Sequence, residues 1–279
     1  MCATCGCSTP ARPGAREDHH DHQHPPEHAH EHAHDGLDHR PPDPAHAKPS
    51  PASTARRLVE LERDVLAHNA RLAERNRGWL AGRGVLALNL MSSPGAGKTS
   101  LLERTIRDLA GTLAIGVIEG DQATERDAER IRAAGARAIQ VNTGAMCHLD
   151  AAMVGRALAE LDPPPASAVA IENVGNLVCP ALFDLGEHAR VVVVSVTEGD
   201  DKPLKYPHMF RAADLLVLNK IDLLPHVEFD VARCAARARE LNPRLARVEV
   251  SATTGHGLEA WYEWLLAAAT ARRHPLAAC

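Results

Sequence analysis

Ser92-Ser93-Pro94-Gly95-Ala96-Gly97-Lys98-Thr99 stands between an apolar run, Val85 to Met91, and a segment, Thr99 to Ala110, that reads as a helix. A strand, a glycine-rich turn and a helix opening on Lys-Thr make a phosphate-binding loop, with Ser92 in place of the usual first glycine. In such a loop backbone N–H groups and the helix N-terminus cradle phosphates, the lysine reaches the β- and γ-phosphates, and the threonine hydroxyl turns to Mg2+. Gly95, Ala96, Gly97, Lys98, Thr99 and Ser100 are therefore the expected phosphate contacts.

Outward from this loop, apolar strand-like runs alternate with helical patterns. Leu113 to Ile118, Ala138 to Val141, Ala168 to Ile171, Val191 to Val196, Asp214 to Leu218 and Arg247 to Val250 read as strands. Helices are predicted over Thr124 to Ala134, Leu149 to Leu161 and residues 227–241 and 257–271. That alternation predicts an α/β fold, a P-loop NTPase whose mostly parallel sheet carries helices on both faces. Upstream, Leu58, Leu61, Val65 and Leu72 fall at helical spacing after Ser53 or Thr54, and this helix should close between Gly78 and Gly84.

Asn219-Lys220-Ile221-Asp222 follows the run Asp214 to Leu218, at a strand's carboxyl end where ligands bind in open α/β sheets. The Asp222 carboxylate can accept from guanine's ring N–H and exocyclic amine; adenine lacks that donor pair and would leave the carboxylate unpaired. Lys220 would lay its aliphatic stem over the nucleotide. Ser251-Ala252, after the next strand, resembles a loop that contacts guanine O6 through backbone N–H. An isolated Asn-Lys-x-Asp is common by chance, but after a phosphate loop in this order it selects GTP over ATP.

Two acids are expected to complete the Mg2+ shell: Asp121, in Glu119-Gly120-Asp121, and Glu172, at the end of Ala168 to Ile171. Glu172-Asn173-Val174-Gly175 stands where many GTPases carry Asp-x-x-Gly. Asp121 could instead cap a helix before Thr124, and Glu172 could be a strand-end acid facing solvent. No glutamine is placed to orient water, so slow intrinsic hydrolysis is expected.

The amino-terminal segment has a different composition. From Cys2 to Arg57 the only large apolar residue is Leu37, eight of the 19 prolines precede Ser50, and ten of the 17 histidines lie within residues 17–46. Such a stretch buries too little apolar area to offset ordering entropy. Residues 1–52 are read as a disordered metal-binding segment, and 53–279 as a GTPase domain with an N-terminal helix. Of the formal charge of −5, the first 50 residues supply −4, from four Lys/Arg against eight Asp/Glu. The remainder is nearly neutral, which excludes the basic footprint of a nucleic-acid binder. No apolar run reaches membrane-spanning length, and seven cysteines without a secretory signal point to reduced thiols and a cytoplasmic location.

Cys2-x-x-Cys5-Gly6-Cys7 places three thiols within six residues, a spacing that suits soft-metal binding. A redox Cys-x-x-Cys would need a strand-helix unit around it, which is missing here. Cys147-His148 and Cys179 form a second candidate set, both in segments that follow strands; two buried packing cysteines and an exposed histidine would look the same. Three ligands leave a fourth position for water or a residue across a dimer interface. The histidine tract suits a multi-site nickel or zinc store, the alternative being a merely polar linker. Cys234 and Cys279 receive no role.

Together these residues resemble the hydrogenase-maturation nickel-insertion GTPases of the HypB type. The resemblance rests on the Cys2/Cys5/Cys7 start, the histidine tract, the phosphate loop, Glu-Gly-Asp-Gln (119–122), Met-Cys-His-Leu-Asp (146–150), Glu-Asn-Val-Gly-Asn-Leu-Val-Cys-Pro (172–180), Glu-Gly-Asp-Asp-Lys-Pro-Leu-Lys-Tyr-Pro (198–207) and Asn-Lys-Ile-Asp. It implies a tight nickel site at Cys2, Cys5 and Cys7, and a weaker Ni2+ or Zn2+ site at Cys147, His148 and Cys179 coupled to nucleotide state. It further implies a GTP-dependent homodimer that works with a small partner chaperone, HypA, and hands nickel to a hydrogenase large-subunit precursor. GTP and GDP with Mg2+ are the implied cofactors. A urease-accessory GTPase and a nickel buffer with a vestigial GTPase are the competing readings.

Overall fold

The computed structural model describes residues 51–121, 126–144 and 146–273; Cys2, Cys5, Cys7 and the histidine tract lie outside them, as does Thr124. The fold below is that of the compact unit that begins at Glu62, together with the first turns of its leading helix. The first helix, α1, spans Pro51–Gly82 and ends where the glycines predicted.

Among the described residues seven strands follow: β1 (Leu86–Ser92), β2 (Ile115–Asp121), β3 (Ala138–Asn142), β4 (Ala168–Glu172), β5 (Ala189–Ser195), β6 (Leu215–Asn219) and β7 (Ala246–Glu249). All pairings are parallel, in the order β3-β2-β4-β1-β5-β6-β7. β1, β4 and β6 are buried along their whole length, as strands covered on both faces must be. The helices that cover them are α2 (Lys98–Asp108), α3 (Arg126–Ala133), α4 (Ala151–Leu161), α5 (Lys202–Lys205), α6 (Pro207–Ala212), α7 (Val231–Leu241) and α8 (Leu258–Arg273).

Strand alternation sorts the core into layers. Leu86, Leu88 and Leu90 pack with Leu101 of α2, Ile131 of α3 and Trp261 and Leu265 of α8. Val85 and Ala87 turn the other way, onto Leu80 of α1 and Val154 and Leu158 of α4. Met91, Val192 and Val194 meet Met209 and Phe210 of α6 and Cys234 of α7. Trp261 is 1% exposed and donates its Nε1–H to Thr105 Oγ1 at 2.8 Å, so its one polar atom is satisfied inside the core.

The α/β class stands as predicted, and the differences are local. Helices expected from Leu149 and residue 227 begin at Ala151 and Val231, because Asp150 and Asp230 cap them by accepting from the N–H groups of Met153 and Arg233. β2 starts at Ile115, since Leu113 is held in a turn by its N–H bond to Leu109 O. The short helices α5 and α6 were not predicted. Each carries a proline in its first turn, where proline starts a helix rather than breaking one.

Candidate functional site

The chain crosses from one half of the sheet to the other beside β1, and a cleft of about 520 Å³ opens at the carboxyl ends of the strands there. Gly95, Gly97, Lys98, Thr99 and Ser100 line it, opposite Glu119, Asp121, Glu172 and Asn173. Gly97 has φ +95°, and a Cβ there would lie 2.5 Å from Asn219 Nδ2, so only glycine fits. Ser92, standing where a glycine is usual, is buried; its Oγ accepts from Lys98 Nζ at 2.9 Å and donates to Ser93 O at 2.6 Å. The serine thus parks the lysine across the loop. Thr99 Oγ1 donates to Glu172 Oε1 at 2.7 Å, which joins the loop threonine to the strand-end acid.

Asn219 and Lys220 are bound to the phosphate loop itself. Asn219 Nδ2 donates to Ala96 O at 2.9 Å and Lys220 Nζ donates to Gly95 O at 2.7 Å. Lys220 takes φ +64° to make this reach. Ala252 N–H donates to Asn219 Oδ1 at 3.3 Å, and Ser251 is buried with its Oγ accepting from Thr254 N–H at 3.1 Å. Asp222 stands exposed in the 3-10 turn Ile221–His226, one step beyond the cleft lining. Ser100 Oγ accepts from Arg130 Nη2 at 3.2 Å; that guanidinium also pairs with Glu103 at 2.8 Å and Asp127 at 2.9 Å.

The acids are crowded. Glu172 is 4% exposed, which removes the reading of it as a solvent-facing strand end. Burial pushes its carboxyl up, against the pull of Lys98 and the Thr99 hydroxyl. Glu119 is pushed up to about 8, first by burial and then by Glu172, Asp121 and Asp127, with Lys98 opposing. Among the described residues, Glu119 Oε2 and Glu172 Oε2 are buried without a hydrogen-bond partner. Two unsatisfied carboxylate oxygens of residues that line one cleft with Thr99 suit a hard divalent cation such as Mg2+.

Cys147, His148 and Cys179 come together, their ligand atoms all within 4.8 Å of one another. The two Sγ atoms are 3.0 Å apart and Cys147 Sγ lies 3.8 Å from His148 Nδ1. Cys179 is buried at the start of a 3-10 turn, Cys179–Ala181, with Pro180 behind it. His148 leans on Phe183, ring centroids 4.0 Å apart, and burial pushes its pKa down despite Asp150, favouring the neutral ring that coordinates metals. Two thiols and an imidazole suit a borderline-soft ion such as Ni2+ or Zn2+.

Residues that the sequence reading did not assign tie the two sites together. Asn173, 1% exposed, follows Glu172; its Oδ1 accepts from Leu149 N–H at 3.2 Å and Val174 N–H at 3.0 Å, and its Nδ2 donates to Asn89 Oδ1 at 3.2 Å. Leu149 is the neighbour of His148, and it packs so closely on Gly120 that a Cβ there would lie 2.8 Å from its Cγ. Lys202 Nζ donates to Ser93 Oγ at 2.8 Å and pairs with Glu198 at 3.0 Å, while Asp200 binds Arg233 and Arg237 of α7. The signal for Glu119 was present, since residues 119 and 121 share one face of a strand. Nothing local marked Asn173.

A family model, the nucleotide-binding domain of CobW/HypB/UreG, matches residues 86–249. The hydrogenase maturation factor HypB of Rhizobium leguminosarum is 60% identical over 222 residues, covering 80% of this chain and 74% of that protein. The HypB structure from Archaeoglobus fulgidus is 46% identical with a TM-score of 0.69, covering 73% of this chain and all of that one. The Helicobacter pylori HypB structure, solved in complex with nickel, is 35% identical with a TM-score of 0.69, covering 76% of this chain and all of that one.

Proposed function

Since the chain belongs to the HypB family of hydrogenase maturation factors, within the CobW/HypB/UreG nucleotide-binding domains, we propose that it is a GTP-hydrolysing metallochaperone for [NiFe]-hydrogenase. The observation that carries this is Asn173, a single buried residue placed between the acid that meets the phosphate-loop threonine and the loop that carries Cys147 and His148 of the metal-type triad. A nucleotide-binding fold has no other evident need for two thiols and an imidazole beside its cleft.

In this reading the phosphate-loop amides, Lys98 and Ser100 hold the phosphates, and Asp222 with the Ser251-Ala252 backbone selects guanine. Thr99, Asp121 and Glu172 would hold Mg2+, which neutralises the charge that develops on the phosphates. Water attacks the γ-phosphorus, and the bond to the β-phosphate bridging oxygen breaks to leave GDP and phosphate. Nickel is cargo. It is held by Cys147, His148 and Cys179, with Zn2+ as the competing ion, and residues 1–52 supply a second nickel site at Cys2, Cys5 and Cys7. The GTP-bound form is a homodimer that works in the cytoplasm with the HypA chaperone and the hydrogenase large-subunit precursor. Contacts at Glu172 pass along residues 173–179 to Cys179, and through the Asn173 side chain to the Leu149 backbone, so hydrolysis alters the triad and releases nickel.

Asp222→Asn tests the reading of guanine. It should weaken GTP binding by a few kcal/mol while nickel binding stays intact; equal loss of both would show one site, not two. Deletion of the protein in its host tests the client. Hydrogenase should fail, with recovery in excess nickel, and urease should be unaffected; loss of urease instead would reassign the client.

A further inference from the structure

The mechanism above leaves unused a buried acid that lines the nucleotide cleft. Glu119 is 3% exposed, lines the nucleotide cleft, and sits on β2 directly across from Glu172 of β4 in the strand register. Neighbouring strands lie about 4.8 Å apart, so two carboxyls in this position face each other at close range, and like charges placed so are destabilising. Asp121, two residues on, shares the same face of β2. The bases nearby are engaged. Lys98 is held by Ser92, and Arg130 by Glu103 and Asp127. Among the described residues, Glu119 Oε2 and Glu172 Oε2 remain buried without partners. A core-packing role does not explain such a group, because replacing it by an uncharged residue of the same shape would remove a desolvation cost and a repulsion together.

We propose that Glu119 is a third carboxylate of the divalent-cation site, giving the ion beside Thr99 an oxygen directly or through a coordinated water. A doubly charged ion at this point turns the repulsion among Glu119, Asp121 and Glu172 into attraction. Glu119 and Asp121 of β2 and Glu172 of β4 would then hold the ion together, and their shared charge would favour an occupied site over an empty cleft. The assignment rests on the nucleotide-site reading above.

The test uses Mn2+ as the probe, with free ion followed by electron paramagnetic resonance on the full chain in saturating GDP, and thermal melting without nucleotide or divalent ion. Glu119→Gln should bind Mn2+ about tenfold more weakly, in the range seen when an ion loses a supporting ligand, and should melt at an equal or higher temperature than the wild type. Glu119→Asp, which keeps the charge, should retain Mn2+ affinity within a few-fold. Unchanged Mn2+ affinity in Glu119→Gln, or a lower melting temperature with the loss, would overturn the assignment and return Glu119 to a structural role. A wild-type chain that binds neither GDP nor Mn2+ would sink the nucleotide reading as well, which separates the two failures.

Discussion

In the phosphate loop the reactive groups come from eight consecutive residues, and the side chains among them are held by buried partners, Lys98 on Ser92 and Thr99 on Glu172. The metal-type triad draws on Cys147 and His148 and on Cys179, 32 residues further along, and its members sit on loop and turn rather than on strands. One region is fixed by local sequence and a parallel sheet. The other exists only because two loops are brought together at the same end of that sheet. A site of the second kind responds to small movements of its supports, which is what a release mechanism requires.

Removing Lys98 should break the first region and spare the second. Lys98→Ala is expected to weaken GDP binding by about a hundredfold or more, read by calorimetry, while nickel affinity at the triad stays within a few-fold. Loss of both would show that the two regions fold as one unit. The reciprocal change, Cys179→Ser, should weaken nickel binding by at least the 10–100-fold typical of supporting groups, measured by competition with a chromophoric chelator, and leave GDP binding unchanged.

Asn173→Ala addresses the bridge between them. Both ligands should still bind, but a GTP analogue should no longer shift nickel affinity, whereas in the wild type a shift of several-fold is expected. Its Leu149 and Val174 N–H partners would be left unpaired, so a fall in melting temperature is expected as well. A variant that melts lower but keeps the full shift would make Asn173 a packing residue only.

How much of this was legible in the sequence depends on separation along the chain. The phosphate loop is contiguous, and its chemistry could be read from residue types alone. Asn219 and Lys220 were legible as a guanine signature, but their bonds to Gly95 and Ala96 were not, because 125 residues separate Lys220 from Gly95. Pro203 and Pro207 each stand in the first turn of a short helix, too short for apolar periodicity to reveal. The convergence of Cys147 with Cys179 depends on strand order, which alternation of strands and helices does not specify. Glu119 was visible only as part of a motif, since a one-dimensional pattern cannot show that Glu172 is its neighbour across the sheet.

The smallest effect separates both sites from the scaffold beneath them. His188 accepts from Ala87 N–H through Nδ1 at 3.1 Å, and burial, with Arg272 and Arg77 nearby, holds its pKa down at about 4 against an ordinary 6.5. A depressed pKa means that the unfolded chain takes up the proton first. The stability from neutral His188 is therefore present above pH 6.5 and is lost as pH falls toward about 4. Melting temperature should decline across that window by roughly 2–4 °C per kcal/mol lost, and His188→Asn, which keeps an acceptor in place, should flatten the decline. No change in slope would place the acid sensitivity elsewhere.

The position of β1 at the centre of the sheet has a consequence for synthesis. Leu86 of β1 pairs with Ala168 of β4, and Met91 with Val192 of β5, so the central strand has no partner on one side until β4 has been translated and none on the other until β5 has. At about 5–20 residues per second, the apolar run Leu86–Met91 waits several seconds outside the ribosome with both edges open. The segment bearing Cys2, Cys5 and Cys7 emerges before any of this. The strand that later aims the phosphate loop is thus the part of the nascent chain most in need of a holding chaperone.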